Sequence, residues 1–296
     1  MGAPGPSGDP LRGSPDTEDT TYGGTVDGGR SRARWMVRGE HDLPAGEDWL
    51  TPRELDRARA MRFTKRRTEY LLRRWAGKQA VAAAAGLPGE AASMARIEVA
   101  NLPTGAPVVR VDGSSVDVDL SLTDRAGWAV CLVAWRGADV RVRVGCDLEI
   151  VEPRSAGFVT DFLTPREQRY VASRPADGRD AAANLLWSAK ESALKVLQTG
   201  LRRDTRSVEV ELGEPVAVTH GGTGEGTDEG TDDGWAALEV RTAEGGRIPG
   251  WWRREGVFLV TVASERPLPP PRRLPGSADL RGARPVHSWL AQPLTP

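Results

Sequence analysis

The sequence predicts an α+β chain built as a pseudo-two-fold pair of similar α/β halves. Three observations carry this prediction. Short strand-like runs bounded by Gly, Pro and Asp alternate with long stretches of helical periodicity. The pentapeptide Leu50-Thr-Pro-Arg-Glu54 recurs letter for letter as Leu163-Thr-Pro-Arg-Glu167, 113 residues further on (from 50 to 163). Trp75-Ala-Gly-Lys78 is then echoed by Trp187-Ser-Ala-Lys190, 112 residues further on (from 75 to 187). Two helix starts followed at nearly equal spacing by W-x-x-K mark an internal duplication, which places any site in the cleft between the halves.

Residues 1–32 repeat Gly, Pro, Ser and Asp with almost no large apolar side chains. Such an extension cannot bury enough surface to offset ordering entropy, so disorder is expected. The first half spans 33–140 and opens with a strand at Trp35-Met-Val37. Thr51 then reads as an N-cap, Pro52 as the first helical residue and Glu54 as the partner in a capping box. The helix carries Leu55, Ala58 and Met61 inward and Arg53, Arg57, Arg59 and Arg62 on its other faces. A second helix is predicted from Thr68 to Ala85, ended by Gly86 and Pro88. Strands follow at 95–99, 108–111, 116–120 and 127–135.

The second half spans 141–265. A strand over Val144–Ile150 alternates apolar and acidic residues. The second capping box starts at Thr164, and a helix through Leu185, Leu186, Ala189, Ala193, Leu194 and Leu197 has an apolar stripe. Strands are predicted at 207–212, 216–219, 235–240 and 257–263, with Trp251-Trp252 in a turn. The Gly/Thr/Asp/Glu run at 221–234 reads as a flexible insertion. Eight prolines in the 31 residues from Arg266 to Pro296 predict an extended, poorly ordered tail.

The formal net charge of the 296 residues is −1, so no global basic field argues for nucleic acid, although 40 Lys and Arg can still build a local anion site. Cys131 and Cys146 each lie in an apolar run and read as buried free thiols, which fits a reducing cytoplasm. No apolar run reaches the roughly 18 residues that span a membrane, and the N-terminus lacks a signal-peptide core. His41, His220 and His287 are scattered, with neither zinc spacing nor a Ser-His-Asp arrangement.

The candidate site lies in two stretches. On a strand Asp147 and Glu149 point to one face, and on a helix Glu191 and Lys195 are neighbours. If the strand and helix meet, three carboxylates converge beside one ammonium, an oxygen-rich setting that suits Mg²⁺. Alone, a D-x-E pair is usually a solvated face and an E-x-x-x-K pair a weak surface salt bridge. Together and in this order, V-G-C-D-L-E (144–149) and W-S-A-K-E-S-A-L-K (187–195) resemble the paired signatures of the 4′-phosphopantetheinyl transferases.

That resemblance covers roughly residues 48–212 and implies the 4′-phosphopantetheinyl transferase fold, in the large single-chain form that activates surfactin synthetase and works as a monomer. It implies a cytoplasmic enzyme that moves the phosphopantetheine arm of coenzyme A to a serine of an apo acyl or peptidyl carrier protein, releasing 3′,5′-ADP. Mg²⁺ would be held by Asp147, Glu149 and Glu191. Lys195 and Lys190 would contact phosphate, and Glu191 or a metal-bound water would be the base. Gln79 stands where the first half would need the counterpart of Glu191, so one metal site is expected. Glu167 reads as a cap and Trp187 as core packing.

Two departures fall at the nucleotide end. The family's G-(K/R)-P is Gly105-Ala106-Pro107 here, and its S-H-(S/T) is Ser121-Leu122-Thr123. Losing a charge-assisted phosphate contact costs on the order of 1.5–3 kcal/mol. Gly105, Pro107 and Ser121 are expected to keep their places at coenzyme A. Compensating charge is expected from the basic run that includes Arg59, Arg62, Lys65, Arg66, Arg67 and Arg74, with Arg59 and Arg66 foremost. The departures also admit a catalytically weak homologue that binds carrier or nucleotide, and the D-x-E pair alone would serve a Mg²⁺-dependent phosphohydrolase.

Overall fold

The structure is a computed structural model that describes residues 1–2, 33–135, 142–213 and 234–286. The first half comprises β1 (Ala33–Gly39), α1 (Pro52–Arg59), α2 (Thr64–Ala85), α3 (Ala91–Arg96), β2 (Ile97–Asn101), β3 (Pro107–Val111), β4 (Ser114–Ser115), β5 (Val118–Arg125) and β6 (Trp128–Trp135). The second comprises β7 (Val144–Ile150), α4 (Ala156–Phe162), α5 (Pro165–Ala172), α6 (Arg179–Val196), β8 (Val208–Leu212), β9 (Ala236–Thr242), β10 (Arg247–Glu255) and β11 (Phe258–Ser264), and β12 (Arg272–Arg273) follows it.

The duplication is visible in the topology. The antiparallel run β1-β6-β5 in one half matches β7-β11-β10 in the other, and the hairpin β2-β3 matches β8-β9. In the second half β9 also pairs with β10, which joins the two parts into a five-stranded sheet. In the first half they stay separate, as a four-stranded sheet β12-β1-β6-β5 and a three-stranded sheet β2-β3-β4. Four layers result. Trp35, Val37, Val130 and Leu132 meet Cys146, Leu148, Val260 and Val262 in a core between the two main sheets. α2 packs outside the first sheet through Leu72, Ala76 and Ala80, and α6 packs outside the second through Leu186, Ala189 and Ala193.

The repeated pentapeptide does the same job twice. Thr51 accepts from the Glu54 amide and Glu54 accepts from the Thr51 amide; Thr164 and Glu167 repeat this pair. Each glutamate also takes a strand amide, Glu54 from Val99 and Glu167 from Val210, at 2.9 and 2.8 Å. Each is closed by a fully buried lysine, Lys78 at 2.5 Å and Lys190 at 2.8 Å. The remaining lysine donors reach backbone carbonyls, Trp49 and Met94 for Lys78, Thr205 and Val208 for Lys190. Both charges are thus paired and fully hydrogen-bonded, the condition under which burial is tolerated.

Several elements differ from expectation. The first helix stops at Arg59, short of Met61, and α2 begins at Thr64 rather than Thr68. The short helices α3 and α4 have too few residues to show a period and were not expected. β5 runs on to Arg125, because the turn is made by Ala126 and Gly127, both at positive φ. Trp251-Trp252 lies inside β10; the glycines that turn the chain are Gly245 and Gly256, at φ +85° and +60°. The tail is extended but packed as far as residue 286, with β12 parallel to β1 and Leu274 and Leu280 buried. The predictions for residues 3–32, 216–219, most of 221–234 and 287–296 lie outside the described residues.

Candidate active site between the halves

β7 is the edge strand of its sheet and lies against α6 on one side and β5 on the other. Gly145 permits the close approach to α6, since a Cβ there would sit 2.0 Å from the Ser192 carbonyl oxygen. Toward β5 the contact is a ladder of alternate side chains, which share one face of the strand. Ser121 Oγ accepts from the Cys146 amide at 3.0 Å, Thr123 donates to Asp147 at 3.0 Å, and Arg125 lies 3.3 Å from Glu149. The first half thus holds the acidic strand of the second.

A cleft of about 820 Å³ opens over this strand, and Asp147, Glu149, Glu191 and Lys195 are among the residues that line it. Asp147 Oδ1 accepts from Thr123 and, at 2.9 Å, from Lys195; its Oδ2 accepts from Ser188 at 2.9 Å. Glu149 Oε1 accepts from the Trp187 indole at 3.0 Å, and Oε2 from Arg154 at 3.0 Å. Lys195 also donates to the Cys146 carbonyl at 2.7 Å and sits 3.9 Å from Glu191.

Burial, then the charge of Asp147, pushes the Glu191 carboxyl up to about 7. The same two causes raise Glu149, against the pull of Arg125 and Arg154. Burial works to lower the Lys195 ammonium, but Asp147 and Glu191 more than reverse it, and the net shift is upward. Carboxylates that raise one another's pKa in this way are short of positive charge. Among the described residues no three His, Cys, Asp or Glu side chains are already drawn together as a ligand set. The donor chemistry nevertheless fits a hard divalent cation: Asp147, Glu149 and Glu191 all line the cleft, and each carboxylate has lone pairs beyond those the protein uses.

The cleft is also lined by Arg57, Arg74 and Arg202 with Asn101 and the 103–107 turn; Arg74 donates to Asn101, Arg202 donates to the Thr104 carbonyl at 3.0 Å, and Arg73, in the same lining, is paired with Asp124. Arg74 is buried against the Tyr70 ring, and burial lowers its pKa. Gly105, Pro107 and Ser121 line the cleft, although the Ser121 hydroxyl is occupied by the Cys146 amide. Leu122 lines it also.

Three predicted contacts are corrected. Lys190 has no exposed surface and is spent on Glu167 and two carbonyls, so it does not reach the cleft. Arg59 pairs with Glu47 at 3.0 Å, and the Arg66 guanidinium lies over the Phe63 ring, 5.9 Å from its centroid; neither lines the cleft. The basic cluster exists, but Arg74 alone of the residues expected to supply it lines the cleft. The pattern had no means of marking Arg57, Arg73 and Arg202 as its neighbours there. Gln79, facing no carboxylate strand, instead holds the Gly89 carbonyl at 2.8 Å.

Residues 143–236, which carry β7, α4 to α6, β8 and the start of β9, match the family model described as the 4′-phosphopantetheinyl transferase superfamily. Through this segment, 94 of the 296 residues (143 to 236), the chain is similar to that superfamily. Among solved structures it is similar to a holo-(acyl-carrier-protein) synthase from Bacillus anthracis in complex with CoA (3′,5′-ADP), at 25% identity and a TM-score of 0.31 over 36% of this chain and 96% of that one. No curated protein matches the sequence. Within the matched segment Trp187 does more than pack: besides its edge contacts with Phe158 and Phe162, its indole fixes Glu149. Asn184 and Arg154 extend this support, with Arg154 donating to Asn184 at 2.6 Å. Only their closeness to Glu149 in the fold gives them this role.

Proposed function

We propose that the chain transfers the 4′-phosphopantetheine arm of coenzyme A to a serine of an apo acyl or peptidyl carrier protein, with Mg²⁺, and releases 3′,5′-ADP. One observation carries the reading. Within the matched segment, Asp147, Glu149, Glu191 and Lys195 stand together in a cleft that Arg57, Arg74 and Arg202 also line. A pyrophosphate with a further phosphate on its nucleoside matches that set of charges.

The chemistry is a phosphoryl transfer. The serine oxygen bonds to the phosphorus of the pantetheine arm, and the bond from that phosphorus to the leaving 3′,5′-ADP oxygen breaks. Mg²⁺ held by Asp147, Glu149 and Glu191 would neutralise charge on the pyrophosphate oxygens. Glu191, or a water on the metal it helps to hold, would take the serine proton. Lys195, kept charged by Asp147, is placed to stabilise the charge that develops on the phosphate and leaving group. Arg57, Arg74 and Arg202 would bind the nucleotide's phosphate in place of the missing Lys/Arg at Ala106 and His at Leu122.

The test incubates the chain with an apo carrier protein, coenzyme A and Mg²⁺ and follows the carrier by mass spectrometry. The carrier should gain the mass of the phosphopantetheine arm, and chelation with EDTA should stop the gain. Asp147→Ala should lose at least about a hundredfold in rate while keeping the fold. No gain with several carrier classes, or full activity in Asp147→Ala, would overturn the reading. Free phosphate released from coenzyme A without any carrier would favour a phosphohydrolase instead.

A further inference from the structure

The interface between α6 and β11 holds three hydroxyls where aliphatic side chains would pack. Ser188, Ser192 and Thr261 are all fully buried, and none of them lines the cleft. Ser188 Oγ lies 2.9 Å from Asp147 Oδ2 and 2.9 Å from Thr261 Oγ1. Ser192 Oγ lies 2.7 Å from the same Thr261 Oγ1 and 3.2 Å from the Thr261 carbonyl oxygen.

Each hydroxyl has one proton to give. An ionised Asp147 only accepts, so the Ser188 proton goes to it. Ser188 Oγ must then accept from Thr261, and Thr261 Oγ1, its own proton committed, accepts from Ser192, whose single proton is shared with the Thr261 carbonyl oxygen. The carboxylate at the end of the chain therefore sets the direction of every bond in it. On the other oxygen of Asp147, Oδ1, the Thr123 hydroxyl and the Lys195 ammonium fill both lone-pair positions. Oδ2 keeps one beyond the Ser188 bond.

We propose that Ser188, Thr261 and Ser192 form a one-way hydroxyl relay that orients Asp147 and keeps a lone pair of Oδ2 for a divalent cation. The inference rests on the metal reading of the cleft and assigns positioning residues behind it. Packing alone would not need the hydroxyls: replacing bonded buried partners with apolar groups of the same shape is close to neutral, and Ala, Val and Ala would fill this space. What the hydroxyls add is direction, because bonds in a chain polarise one another and partners behind a ligand fix its orientation.

The test uses Mn²⁺ as the probe and measures its Kd on the full chain by electron paramagnetic resonance. Thr261→Val keeps the branched shape and orphans no donor, since Ser188 still gives its proton to Asp147 and Ser192 to the carbonyl of residue 261. Its unfolding midpoint should stay at that of the unmodified chain. Ser188→Ala should weaken Mn²⁺ binding about tenfold and Thr261→Val about threefold, with Thr261→Ser within about twofold of the unmodified chain. Ser188→Ala and Thr261→Val both within about twofold, while Asp147→Asn abolishes binding, would overturn the relay. If the unmodified chain binds no Mn²⁺, the metal reading fails, and crystal structures decide the relay alone. A rotated Asp147 carboxylate in Ser188→Ala then supports it, and an unmoved one sinks it.

Discussion

Lys190 and Lys195 share a helix and serve different ends. An α-helix turns about 100° per residue, so Lys190 lies about 140° round the axis from Lys195 and about 100° from Glu191. Any face that presents Glu191 and Lys195 to the cleft must turn Lys190 away, and the structure seals it against Glu167. The wheel could have excluded Lys190 from phosphate binding before any coordinates; the partner it would find could not be read that way. The same geometry recurs at Lys78 and Glu54, which yields a prediction. Removing one partner of a buried pair leaves the other charge uncompensated, at about 3–5 kcal/mol. Lys190→Met and Lys78→Met should each lower stability by about that amount in urea unfolding. Once folded, Lys190→Met should bind ligand in the cleft like the unmodified chain, whereas Lys195→Met should lose the reaction. A Lys190→Met chain of unchanged stability would refute the buried-pair account.

Elements were legible where a local physical rule sets them. The capping boxes fix the starts of α1 and α5 at Pro52 and Pro165, as the pentapeptide predicts. The long apolar stripes gave α2 and α6, and alternation gave most strands. The end of β5 was not legible, because Ser121 and Thr123 look like turn residues until their partners on β7 are known; they are polar in order to bond the Cys146 amide and Asp147. For the same reason the sequence could place Asp147 and Glu149 on one face but could not name Arg125, Arg154 and Ser188 as their supports. Gly145 makes the meeting of β7 and α6 testable. Its hypothetical Cβ would meet the Ser192 backbone at 2.0 Å, and backbone cannot swing aside as a long side chain can. Gly145→Ala must therefore push the strand from the helix, taking Asp147 from Ser188 and Lys195. Overpacking of this kind typically costs about 1–3 kcal/mol, and this contact belongs at or above the upper end. Urea unfolding with a Mn²⁺ titration checks it. Unaltered stability and binding in Gly145→Ala would show that β7 and α6 lie further apart than described.

At the scale of the whole molecule the two halves are joined by more than their central core. The segment after β11 runs back along the first half, where the Leu274 amide bonds the Trp35 carbonyl and the Ala278 amide the Val37 carbonyl. Leu274 enters the core under α2, and Leu280 enters the core between the sheets. Further on, the Trp128 indole donates to the Arg284 carbonyl at 2.8 Å, and the Val286 amide to the Ala126 carbonyl at 2.8 Å. Proline content predicted an extended path but not the packing, because composition averages over the segment while burial depends on two leucines, Leu274 and Leu280, that join the two cores. Buried Glu255 adds to the fastening, drawing Arg253 from its own strand and Arg273 from β12. Arg253 and Arg273 both lie over the Trp35 ring, so the strap is clamped to β1 by charge as well as by apolar burial. If the strap holds the halves together, its two anchors must act on one transition although they sit in different cores. Leu274→Ala and Leu280→Ala should each cost about 2–5 kcal/mol, with a single cooperative unfolding transition kept in both. The measurement is thermal unfolding followed at once by tryptophan fluorescence and far-ultraviolet circular dichroism. Coincident curves shifted alike by either substitution support one cooperative molecule. If Leu280→Ala separates the curves while Leu274→Ala does not, the halves unfold independently and the strap is a covering for each, not a link between them.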